Sequence, residues 1–82
     1  MINSAEIKPR AIKDLRPFPR KDQDRILEAI EALRNNLEGD VKRLTNFQPQ
    51  FRLRVGNYRV LFDVEGESVV VYRVKLRKDA YR

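Results

Sequence analysis

The sequence predicts an α+β sandwich in one domain over residues 1–82: an N-terminal strand and a two-helix hairpin packed on an antiparallel sheet with a three-strand C-terminal meander. Two observations carry this. Ile26, Ile30, Leu33 and Leu37 recur at spacings of four, three and four, the stripe of a helix with one apolar face. Residues 51–76 are rich in β-branched and aromatic side chains and are broken only at Gly56-Asn57 and Glu65-Gly66-Glu67. The helical stripe needs something to pack against, and the meander supplies it.

The elements follow in order. "INSAEI", residues 2–7, reads as a short strand anchored by Ile2 and Ile7. Pro9 suits the first turn of a helix, where its missing N–H costs nothing. "PRAIKDL" is then a short helix with Ile12 and Leu15 on one face, ended by "RPFPR" because two prolines oppose continuation. Asp22 or Asp24 is placed to cap the longer helix, and Gly39 to stop it. "FRLRV" and "YRVLFDV" join at Gly-Asn, and "SVVVYRV" follows. In that register Phe51, Leu53, Val55, Tyr58, Val60, Phe62, Val64, Val69 and Val71 share one face. The third strand is almost wholly apolar from Val69 to Val74, which predicts a central strand covered on both faces.

Composition narrows the chemistry. There is no cysteine and no histidine, which excludes disulfides, thiolate metal sites and Ser/His or Cys/His catalysis. No acidic cluster has metal-binding spacing, so no metal or cofactor is expected. No apolar run spans a bilayer and the N-terminus lacks a signal-peptide core, so the expectation is a cytoplasmic protein away from membranes. Lys+Arg number 18 against 12 Asp+Glu, a formal net charge of +6. The excess lies late in the chain: residues 51–82 hold eight bases and four acids, residues 1–50 ten and eight.

A two-residue turn at Gly56-Asn57 sets Arg54 opposite Arg59, with Arg52 two residues along the same face. Like charges facing one another destabilise a hairpin unless something relieves them. Arginine carries a planar fork of donors matched to phosphate oxygens, and a polyanion would supply that relief. The tail "KLRKDAYR" adds Lys75, Arg77, Lys78, Tyr81 and Arg82. On pattern alone the face fits a nucleic-acid backbone, an acidic protein partner or a solvated surface. If it does chemistry, arginine is not the base, because it stays protonated. It can stabilise the extra charge of a pentacoordinate phosphate, and self-cleavage through a ribose 2′-OH would select RNA.

These residues carry a resemblance. "FRLRVGNYRVLFDVEGESVVVYRV" is similar to the Y-R-L-R-V-G-D-Y-R-V pattern of the RelE/ParE superfamily of toxins from type II toxin–antitoxin systems, nearest its RelE branch. "IKPRAIKDLRPFPRKDQDRILEAIEAL" looks like the family's opening, and "VKRL" like the segment before its arginine hairpin. The resemblance implies a RelE-like fold and a metal-independent endoribonuclease, an mRNA interferase that cuts mRNA in the ribosomal A site and stops translation. It also implies a small acidic cognate antitoxin, bound as a hetero-oligomer. Catalytic roles would fall on Arg52, Arg54, Arg59, Arg77 and Tyr81, with Arg59 on the transition-state phosphate, and RNA binding on Lys75, Lys78 and Arg82. The chain departs from the bacterial prototype, which has lysines at Arg52 and Arg54, and from the V-G-H-R of many members, replaced by Val74-Lys75-Leu76-Arg77. The ParE branch, which inhibits DNA gyrase without cutting RNA, is the alternative. An inactive interaction module is a third reading.

Overall fold

The computed structural model describes residues 2–80. The chain runs β1 (Ser4–Ile7), α1 (Pro9–Leu15), α2 (Arg20–Ala32), β2 (Val41–Arg43), β3 (Phe51–Val55), β4 (Tyr58–Glu65), β5 (Ser68–Leu76) and a 3-10 turn at Arg77–Asp79. The strands form one five-stranded mixed sheet in the order β1-β5-β4-β3-β2. β1 lies parallel to β5, and every other pair is antiparallel. This is the predicted α+β arrangement, with one strand more than predicted.

Both helices cover one face of the sheet. Ala11, Leu15, Ile26, Ile30 and Leu33 pack against Leu53, Val60, Phe62, Val69, Val71 and Val74, with Phe51, Val55, Tyr58 and Val64 at the margin. Phe51 stacks on Phe62 across the β3–β4 pair, ring centroids 5.4 Å apart. Burying side chains of this size contributes about 1.5–3 kcal/mol each, which makes this face the main source of stability. Val69, Val70 and Val71 are all buried, as an inner strand requires.

Four details differ from expectation. α1 packs through Ala11 and Leu15, an i,i+4 pair, and leaves Ile12 46% exposed. α2 starts at Arg20, directly after Pro19, so neither Asp22 nor Asp24 caps it. Asp22 instead accepts a hydrogen bond from the Tyr58 hydroxyl at 2.6 Å, and Asp24 meets Arg20 at 3.3 Å. The corner before α2 is closed by Gln23, whose Nε2 donates to the carbonyls of Leu15 (3.0 Å) and Phe18 (2.9 Å). α2 ends at Ala32, earlier than Gly39, and the chain then turns through left-handed Asn36 and Leu37. Gly39 has φ +135, and a Cβ there would meet Leu53 Cδ1 at 2.9 Å, so it lets the chain press onto the core.

The remaining difference lies within β5. The β4–β5 register shifts between Leu61 and Phe62: Leu61 pairs with Arg73 but Phe62 with Val71. Tyr72 is the extra residue of a bulge. Before it, odd positions (Val69, Val71) face the helices; after it, Val74 does. Where β1 ends, β5 has a free edge, and Asp14 of α1 closes part of it by accepting the Val74 N–H at 3.0 Å.

Candidate nucleic-acid interface

The sheet's other face carries the basic residues. Strand register places Arg54 opposite Arg59 and Arg59 opposite Lys75, a row of three cations across β3, β4 and β5. A second row runs Lys42, Arg52, Leu61, Arg73 across β2 to β5. Adjacent strands lie about 4.8 Å apart, so the first row, and the Lys42–Arg52 pair of the second, bring cationic stems within a few ångströms of one another. The facing arginines of the hairpin are therefore present as expected.

Their environments differ. Arg54 is exposed and has no acidic partner among the described residues. Arg59 is only 6% exposed, and its Nη1 donates to the carbonyls of Gly56 and Tyr58, both at 2.9 Å. That guanidinium is held in place by the hairpin turn it helps to close. Gly56, at φ +56, adopts the left-handed conformation that a two-residue hairpin loop demands at its first position. The side chain of Arg52 is 13% exposed, touches Asp40 at 3.8 Å, and has a buried Nε with no hydrogen-bond partner. Leaving a charged donor buried and unmatched costs free energy that an incoming acceptor would recover.

Nearby acids are committed elsewhere. Asp63 accepts the Gln50 N–H at 2.6 Å, and Glu65 accepts from the Tyr72 hydroxyl. The Glu65 carboxylate beside that hydroxyl, with some burial, raises the Tyr72 phenol above its ordinary value. Asp22 does the same to Tyr58. Neither tyrosine is thereby prepared to give up a proton near neutral pH.

Arg77 begins the 3-10 turn, and its N–H donates to the Asn57 carbonyl at 2.7 Å. Arg77 and Arg59 are thus tied to neighbouring carbonyls of one turn. Leu76, Arg77, Lys78 and Asn57 line a shallow hollow of about 410 Å³ there. The structure brings together Arg54, Arg59, Lys75, Arg77 and Lys78 around the Gly56–Asn57 turn, with Arg52 on the adjacent row. Tyr81 and Arg82 lie outside the described residues.

Sequence reasoning missed Lys42, which reaches the face only because β2 pairs with β3. It also missed Arg25 of α2, whose Nη2 lies 3.7 Å from where a Gly56 Cβ would stand. No local signal marks either residue. Arg73 belongs to a different arrangement: its Nε and Nη2 donate to Asp14 at 2.8 and 3.2 Å. Burial pulls the Asp14 carboxyl up, but hydrogen bonds from Arg73 and Val74 and the charges of Arg73 and Arg10 outweigh it, and its pKa falls below the usual carboxylate value.

Comparison with known proteins fits this geometry. The family model described as "ParE toxin of type II toxin-antitoxin system, parDE" matches residues 5–81. Toxin RelE3 of Methanocaldococcus jannaschii is 35% identical over 75 residues, covering 85% of each chain. The chain belongs to the RelE/ParE toxin superfamily. Among solved members, the RelB–RelE antitoxin–toxin complex from Methanococcus jannaschii aligns with a TM-score of 0.74 at 32% identity, covering 89% of this chain and 91% of that one. The archaeal RelE–RelB complex from Pyrococcus horikoshii aligns at 0.76 with 25% identity, covering 98% and 100%. The RelE/ParE fold thus extends over almost the whole chain, the arginine hairpin included.

Proposed function

We propose that this protein is a RelE-type endoribonuclease toxin that cuts mRNA in the ribosomal A site, and that a small acidic antitoxin holds it in check. The observation that carries the reading is the row Arg54–Arg59–Lys75, unmatched at Arg54 and braced by the turn at Arg59. The solved relatives are antitoxin–toxin complexes, which supports the antitoxin.

In this reading a ribose 2′-oxygen attacks the adjacent phosphorus, the bond to the 5′-oxygen breaks, and a cyclic phosphate and a 5′-hydroxyl remain. Arg59 donates to the non-bridging oxygens as charge grows on them. Arg54, Arg52 and Lys75 hold the flanking backbone, and Arg77 and Lys78 approach from the tail. Losing one well-placed donor to such a transition state costs about 10²–10³ in rate. Arginine supplies no base at neutral pH. Tyr81 is the chain's candidate for stacking or proton transfer, alongside groups of the ribosome and of the RNA.

The test is primer-extension mapping of mRNA on programmed ribosomes, with naked RNA and Arg54→Ala and Arg59→Ala proteins as controls. A-site cuts that need both the ribosome and these arginines are expected. The family model's ParE description favours a second reading, a toxin that inhibits DNA gyrase. Intact mRNA from cells whose growth has stopped, with DNA-damage signalling, would establish that reading instead.

A further inference from the structure

Lys75 ends the arginine row at β5, and at the same strand edge a cleft of about 450 Å³ opens between α1 and the tail. Its lining includes Arg10, Lys13, Arg73 and Lys75 against Asp14 and Asp79. Asp14 is already engaged by Arg73 and by the Val74 N–H, and Arg10 Nε reaches it only at 3.7 Å. The Arg10 side chain is 62% exposed. Lys13 and Lys75 have no acidic partner among the described residues. Three cations thus line an opening in which Asp14 is shared among Arg73, the Val74 N–H and, more distantly, Arg10. Arg10 and Lys13 lie on the exposed side of α1, whose packing rests on Ala11 and Leu15.

We infer that this cleft is a second phosphate site, taking the backbone of single-stranded RNA as it leaves the arginine row at Lys75. The inference rests on the proposed function for its substrate class, but it is tested separately. Lys75 belongs to both the row and the cleft, so one strand can follow a continuous cationic track around the sheet edge. Arg10 offers a guanidinium fork and Lys13 a mobile ammonium, both suited to phosphate oxygens rather than to base edges. Contacts of that kind contribute affinity without sequence preference and weaken with salt.

The experiment is fluorescence anisotropy of a labelled single-stranded RNA oligonucleotide titrated with the free protein over a series of salt concentrations. Arg10→Ala/Lys13→Ala is expected to weaken binding and lower the slope of log K against log salt by about 1.4, two phosphates at about 0.7 each. A control removes equal charge elsewhere, Lys8→Ala/Arg34→Ala, where each cation is already paired with a glutamate. It should change the slope much less. Arg10→Lys/Lys13→Arg should restore the original slope, which separates lost charge from lost folding. Equal slopes for the Arg10/Lys13 double variant and the control would overturn the inference, as would no binding by the unaltered chain. Competition by poly-glutamate as effective as by unlabelled RNA would also overturn it, marking the cleft as a dock for acidic protein. Because no ribosome is present, failure here leaves the mRNA-cleavage reading standing, and failure of cleavage leaves this result readable.

Discussion

The two faces of the one sheet are built on opposite terms. Toward the helices, Leu53, Val60, Phe62, Val69, Val71 and Val74 are almost completely excluded from water. Away from them, the same strands alternate to Arg52, Arg54, Arg59 and Lys75, cations set against one another by register. The first face gains free energy by burial. The second spends part of that gain to hold like charges in a geometry they would not choose alone. Ligand-ready charge in so short a chain therefore depends on the completeness of the core behind it.

Breaking the apolar face should have the largest effect. Phe62→Ala removes the ring stacked on Phe51 and should destabilise by about 3–5 kcal/mol, read from urea denaturation. A loss below about 1 kcal/mol would mean that the helices do not depend on this face. Next comes Arg59, which belongs to both terms. Arg59→Ala should lower ribosome-dependent cleavage by about 10²–10³ and also cost about 2 kcal/mol of stability through the lost bonds to Gly56 and Tyr58. Full stability in that variant would show that the turn does not need its guanidinium.

Asp14 sharpens the comparison at the boundary between the faces. Asp14→Asn should cost about 2 kcal/mol near neutral pH, because the charged bonds to Arg73 are lost. Its folded pKa is depressed, so the stabilisation is fully present above the ordinary carboxylate value of about 4 and fades as pH falls through the lower folded value. The gap between parent and variant in urea midpoints should therefore close on acidification. A constant gap would place the effect in packing rather than charge. Arg54→Ala, on the exposed side of the hairpin, should leave stability unchanged or raise it by up to about 0.5 kcal/mol while reducing cleavage. Smallest of all, Ile12→Gln on the outer side of α1 should move the thermal midpoint hardly at all, within about 0.5 kcal/mol.

Much of this contrast was legible in the residues. The hairpin register followed from Gly56-Asn57, because a two-residue loop leaves no freedom in which residues face one another. The helix stripe was legible through Ile26, Ile30 and Leu33 for the same kind of local reason. What escaped was non-local. β2 is three residues long, too short to display a period, and with it went Lys42. The parallel partnership of β1 with β5 joins segments more than sixty residues apart. The bulge at Tyr72 shifts the inward positions from odd to even, so strict alternation from Val71 onward assigns Val74 to the wrong face. The burial of Arg59 also escaped, since nothing in its neighbours distinguishes it from Arg54.

The carboxylate on the Val74 amide has a consequence for how these molecules behave together in a crowded solution. β5 is paired with β1 only from Ser68 to Val71, and beyond that its flank over residues 72–76 is open to another chain. Bare strand edges are templates on which a foreign strand can add. By occupying one N–H that an intruding strand would have used, and placing a charge where its backbone would lie, Asp14 acts as a gatekeeper. Its loss would make the protein prone to join copies of itself before it had lost its fold.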